Sequence, residues 1–224
     1  MQLDIPGPAG RLEALLEEPL GERGAAPRFA ALLCHPHPRF GGTMHTHAVH
    51  RLAKAVRTQG GVALRFNFRG VGRSAGAYDG GRGEADDARA ALAWLARERP
   101  DLARLSCGFS FGAWIALVVG GRDPGVRGLL LAGLALRSAD LDVIRDTAQV
   151  TEIEKPIAIV QAANDEFGTA DEVRLAIAGS RGPRRLAAVP RATHLFTEDL
   201  AALQRETEAA LAWLLGEQGA DVSH

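Results

Sequence analysis

The sequence has 224 residues, 46% hydrophobic and 24% charged, an ordinary globular balance, and its 26 glycines point to many tight loops. A formal net charge of −1, with the arginines spread along the chain, excludes an electrostatic footprint for nucleic acid. No apolar run reaches the roughly 18 residues that a membrane-spanning helix needs, which excludes a membrane partner of that kind. The N-terminus is acidic where a secretory signal would begin with positive charge, so the chain is expected to be cytoplasmic. Arg181, Arg184 and Arg185 read as a solvated loop. Cys34 and Cys107 lack metal spacing and are too few for a disulfide framework, so buried free thiols are expected.

In chain order, the N-terminal segment from Met1 to Leu20 is expected to give an antiparallel sheet edge. Residues 28–34 (RFAALLC) and 62–68 (VALRFNF) read as buried strands, and the helix between them places Val49, Leu52, Ala53 and Val56 on one face. A second helix, about 84–99, turns Ala88, Ala91, Leu92 and Leu95 inward and stops before Pro100. Further strands are expected at 102–108, 128–136, 156–162 and 185–189, followed by a helix at about 198–215. Alternation of short apolar runs with helical patterns predicts one α/β domain spanning residues 1–224, with a parallel sheet covered on both faces.

Gly108-Phe109-Ser110-Phe111-Gly112 matches G-x-S-x-G and falls between a predicted strand and a predicted helix, the setting in which that pattern carries chemistry. A serine on so sharp a turn needs residues without bulk two before and two after it, and glycine stands at both places. The helix that follows offers backbone donors and a positive dipole end to a developing oxyanion. Serine is a poor nucleophile at neutral pH, so a histidine base and an orienting carboxylate are required, in the chain order Ser, acid, His. Asp165 lies downstream of Ser110, just after a predicted strand, with Glu166 as the rival acid. His194 lies between the last short strand and the last helix and is the only histidine between Ser110 and the terminal His224.

Three segments carry a resemblance: Cys34-His35-Pro36-His37-Pro38 with Gly41-Gly42-Thr43-Met44, the run from Arg65 through Asn67, Arg69 and Gly70 to Ser74, and the Gly108 to Gly112 segment. With these the sequence resembles the α/β-hydrolase superfamily, and within it a group of small bacterial serine hydrolases marked by an HPHP segment. The resemblance covers most of the chain. It implies a triad of Ser110, Asp165 and His194 and a mostly parallel sheet of about eight strands. The oxyanion hole is expected to combine the Phe111 N–H with one from the loop after the first buried strand. Pro36 and Pro38 have no N–H, so His37 is the first candidate, by analogy with the His-Gly-X loops of lipases, and Arg39 the second. This loop departs from the usual His-Gly pattern, and His35 is expected to shape it by hydrogen bonding.

Five histidines, His35, His37, His45, His47 and His50, crowd into one short stretch, but no acidic neighbour completes a hydrolytic metal motif, so no metal is expected. The Gly70-Val71-Gly72-Arg73-Ser74-Ala75-Gly76 loop is not followed directly by a helix and so fits a dinucleotide site poorly. In the resembled family this loop is structural, and Arg69 is expected to order its turn. Only the segment from Arg137 to Lys155 separates the strand expected to end near Leu136 from the one expected to start near Pro156, where larger relatives insert a cap. That length holds a short helix around 141–148 and no cap domain. An open site is therefore expected, walled by Arg39, Phe40, Met44, Phe167 and Leu195. The expected function is cofactor-free hydrolysis of small carboxylic esters with short acyl chains, with thioesterase and serine peptidase as alternatives on the same residues. A non-catalytic small-molecule binding module is the alternative of another class. The sequence leaves the oligomeric state open.

Overall fold

The computed structural model describes residues 1–21, 25–137 and 147–216. The apolar runs become eight strands: β1 (Gln2–Gly7), β2 (Gly10–Glu17), β3 (Phe29–Cys34), β4 (Gly61–Phe66), β5 (Ala103–Phe109), β6 (Val126–Ala132), β7 (Ile157–Ala162) and β8 (Arg184–Val189). They form one sheet in the order β1-β2-β4-β3-β5-β6-β7-β8. β2 runs antiparallel to β1 and to β4, and the remaining neighbours are parallel. The N-terminal segment is thus a hairpin whose inner strand alone opposes the rest. This is the α/β-hydrolase fold.

Strand alternation sorts each strand's residues onto two faces. Ala30, Leu32 and Cys34 of β3 meet the core on one side, while Phe29, Ala31 and Leu33 meet the core on the other. The first face is covered by α2 (Arg82–Glu98), α3 (Phe111–Arg122), α4 (Thr147–Glu152) and α5 (Ala170–Ala176), and the second by α1 (His47–Thr58) and α6 (Leu200–Leu214). α1 buries Val49, Leu52, Ala53 and Val56, as its periodicity predicts. α3 is apolar on every side and is accordingly sunk in the core, its Trp114 fully buried with Nε1 donating to Ala135 O at 2.8 Å. Cys34 and Cys107 are buried free thiols on opposite faces of the sheet, and burial pushes the Cys107 thiol up to about 12.

Two strand ends and one helix differ from the sequence reading for identifiable reasons. β4 ends at Phe66, and after a last backbone bond from Asn67 N–H to Glu13 O at 2.8 Å the chain leaves the ladder at Phe68, whose N–H donates to His35 Nε2 at 3.1 Å, while the Asn67 side-chain amide donates to Glu13 Oε2 at 2.9 Å. β6 stops at Ala132, short of residue 136, because Gly133 takes φ +55° and turns the chain. A Cβ at Gly133 would lie 2.8 Å from the Phe109 ring and 3.4 Å from His194 Cε1, so the turn is shaped around that histidine. α5, absent from the sequence reading, is opened by a capping box between Thr169 and Glu172. The helix expected around 141–148 falls mostly outside the described residues. The β6–β7 connection, 133–156, is too short for a cap domain, and among the described residues it holds α4 alone. No helix of the described residues is long and apolar enough to cross a membrane.

Candidate active site

Ser110 sits where β5 hands over to α3, with φ +57° and ψ −120°, a conformation that costs a non-glycine residue about 1–3 kcal/mol. The surroundings impose it. Ser110 N–H donates to Ala132 O at 2.9 Å, and Ser110 O accepts from Ala113 N–H at 2.9 Å. A Cβ at Gly108 would overlap the Gly112 carbonyl, and one at Gly112 would overlap the carbonyl of Cys34. Both flanking glycines are therefore required by backbone approaching backbone. The result lifts the Ser110 hydroxyl, half-buried, beside the N-terminus of α3.

His194 and Asp165 arrive from the loops after β8 and β7. His194 Nε2 lies 2.8 Å from Ser110 Oγ, and His194 Nδ1 lies 2.8 Å from Asp165 Oδ2 and 3.0 Å from Oδ1. The imidazole is packed between two rings, Phe109 stacked at 5.4 Å and Phe167 edge-on at 4.7 Å, which restrict its rotation. Asp165 is fully buried. Its Oδ1 accepts from Phe167 N–H at 2.9 Å and its Oδ2 from Gln161 Nε2 at 3.0 Å. Glu166 does not face the ring: its Oε2 accepts from the His194 backbone N–H at 3.2 Å. With Nδ1–H donated to the carboxylate, Nε2 is left to accept a proton from the serine. Such an arrangement can generate an oxygen nucleophile at neutral pH.

A cleft of about 570 Å³ opens above Ser110, walled by Pro36, His37, Phe40, Gly41, Gly42, Thr46, Phe109, Phe111, Ala135, Phe167, His194 and Leu195. Phe40 is 72% exposed and Leu195 55% exposed, so both form its apolar lips. Of the expected wall residues, Phe40, Phe167 and Leu195 are present. Arg39 and Met44 are not. Arg39 is exposed and does not line the cleft, and Met44 is buried as a link, its N–H donating to Asn67 Oδ1 at 2.8 Å and its carbonyl accepting from Arg65 Nη1 at 2.7 Å.

Phe111 opens α3, where the first N–H groups have no carbonyl within the helix to bond. His37 stands across the cleft, its ring 4.9 Å from that of Phe111 and its Nε2 3.0 Å from Tyr78 Oη. The Arg39 N–H, the second oxyanion candidate, is spent on His37 Nδ1 at 3.2 Å. His35 lies beneath the loop, its Nδ1–H donating to Pro36 O at 2.6 Å while Nε2 accepts from Phe68 N–H. Burial lowers its pKa to about 3 against the opposing Pro36 hydrogen bond, so it is a neutral structural ring. Arg69 orders its turn as expected, forking onto both oxygens of the buried Asp87. Among the described residues no three His, Cys, Asp or Glu side chains converge as a metal site.

Fold and site define an α/β-hydrolase of the serine kind. Residues 26–148 match the model of the serine aminopeptidase S33 family, and the chain belongs to that family of α/β serine hydrolases. An uncharacterized protein of Rickettsia prowazekii, RP471, is 37% identical over 176 residues, 77% of this chain and 70% of its own length. An α/β serine hydrolase homologue from Coxiella burnetii superimposes with a TM-score of 0.84 at 32% identity, covering 95% of this chain and 97% of that one. XC6422 from Xanthomonas campestris, described as an α/β serine hydrolase without a lid, gives a TM-score of 0.81 at 29% identity, with 95% and 94% covered.

Proposed function

We propose that this chain hydrolyses small carboxylic esters, with short acyl chains favoured, through an acyl-enzyme on Ser110. The observation that carries the reading is the unbroken path Asp165 Oδ2 to His194 Nδ1, His194 Nε2 to Ser110 Oγ, each step 2.8 Å, at the foot of an apolar cleft. His194 takes the serine proton as Oγ attacks the acyl carbon and returns it to the departing alcohol, and water then repeats the sequence to release the acid. Asp165 holds the imidazole in the tautomer that leaves Nε2 basic. The N–H of Phe111 and that of His37 stabilise the tetrahedral oxyanion. No cofactor takes part, and the partners are small molecules encountered in the cytoplasm, neither nucleic acid nor membrane.

The family description makes an aminopeptidase the second reading. Recognition of a free ammonium calls for a carboxylate at the cleft, and among the described residues that line it none is acidic. That favours uncharged esters. The test is a panel of p-nitrophenyl esters of graded chain length, the matching thioesters, and aminoacyl p-nitroanilides, assayed on wild type and Ser110→Ala. Ester turnover abolished in Ser110→Ala supports the proposal, whereas equal rates in the two proteins, or turnover confined to the anilides, would contradict it.

A further inference from the structure

We infer that Gln161, in the buried strand β7, is a positioning residue that sets the orientation of the Asp165 carboxylate toward His194. The inference rests on the hydrolase reading of the site. Gln161 is fully buried and has no contact with the cleft. Its amide orientation is dictated by its neighbours. Leu134 N–H can only donate, and it meets Oε1 at 2.8 Å, so Nε2 must point the other way. There its two hydrogens meet Gly168 O at 2.7 Å and Asp165 Oδ2 at 3.0 Å, with Leu134 O more distant at 3.4 Å. One side chain thus ties together the turn after β6, the loop that carries the acid, and the acid itself.

Among the described residues two donors besides the imidazole hold the carboxylate, Phe167 N–H on Oδ1 and Gln161 Nε2 on Oδ2, one per oxygen, and together they fix its plane. Without Gln161, Oδ2 keeps the imidazole as its partner, and the carboxylate can turn about the Phe167 N–H bond on Oδ1. Rotation would lengthen the 2.8 Å contact to His194 Nδ1 and let the ring adopt the wrong tautomer. Gln161 and Asp165 are both fully buried, where charge-assisted bonds are strong and bulk water does not reach to replace the lost donor.

The experiment uses Gln161→Met, which keeps the volume and removes both polar atoms, and Gln161→Glu, which keeps the acceptor for Leu134 N–H and replaces the donor with an acid. For Gln161→Met the expected result is kcat lower by roughly 10- to 100-fold with KM unchanged, and a matching fall in the rate of fluorophosphonate labelling at Ser110. For Gln161→Glu, the protonated acid still donates to Asp165 whereas the ionised one repels it. Its kcat relative to wild type should therefore fall as pH rises from 6 to 9. Wild-type labelling and turnover in Gln161→Met overturn the inference, as does a pH-independent ratio in Gln161→Glu, which decides alone should the first variant not fold. Labelling of Ser110 in the wild type tests the hydrolase reading separately: if it never occurs, that reading fails and takes the inference with it.

Discussion

Asp165 and Glu166 are adjacent carboxylates with different partners, and the difference is one of direction. The first faces the His194 ring and the second its backbone N–H. Asp165→Asn should lower kcat by roughly 10³- to 10⁴-fold with the fold retained, since the ring loses its orienting charge, while Glu166→Gln should change it less than about tenfold. Steady-state kinetics on the two variants checks the assignment, and the reverse ranking would contradict it. His35 makes a different prediction. The folded state keeps it neutral down to about pH 3, whereas an unfolded chain protonates it near 6.5. Its contribution to stability is complete above that upper value and is lost as pH falls toward the lower one, at up to about 1.4 kcal/mol per pH unit. Urea midpoints measured from pH 7 to 5 should fall in the wild type and fall less in His35→Gln. Glu13 acts in a more acidic window: burial raises its pKa, but the Arg73 N–H, the Asn67 amide and the Arg73 guanidinium together bring it down to about 2. Its contribution is present above about 4.3 and is lost toward about 2.

At the level of elements, the junction of β5 and α3 is held by contact between backbones, and that reverses an ordinary rule. Replacing glycine by alanine inside a helix usually stabilises it by about 1 kcal/mol. At Gly112 the added Cβ would meet the carbonyls of Cys34 and His35, so α3 would have to leave β3. Gly112→Ala should therefore lower the denaturation midpoint and the activity together. A stabilised, fully active variant would show that the junction tolerates movement. This junction was legible in the sequence because glycine spacing and the strand-turn-helix pattern are local signals. So were Asp165 and His194, through their order and their places after predicted strands. Gln161 was not, because a polar residue in an apolar strand reads only as buried, and its partners Leu134 and Gly168 come from distant turns. Arg39 and Met44 were misplaced for a related reason: proximity in sequence to His37 does not say which side chains a loop turns outward. The ends of β4 and β6 lie inside the apolar runs, with Phe68 beyond the first and Leu134 to Leu136 beyond the second, and only the tertiary partners His35 and Phe109 explain where pairing stops.

For the molecule as a whole, the short β6–β7 connection leaves the cleft without a cap domain, so access does not wait on a large rearrangement. The lips formed by Phe40 and Leu195 are exposed, and an acyl chain extending past them gains little from further methylenes, each forfeiting about 0.8 kcal/mol when left in water. Butyrate esters should be turned over with higher kcat/KM than palmitate esters, and rate should not jump as substrate passes its solubility limit. A preference for palmitate with such a jump would reveal a covered tunnel. The most direct test of the central claim is mass spectrometry of the intact protein and its peptides after exposure to a fluorophosphonate. The expected result is a single adduct on the peptide containing Ser110, formed slowly in His194→Ala and absent in Ser110→Ala. No adduct in the wild type, or an adduct of equal yield in Ser110→Ala, would contradict it.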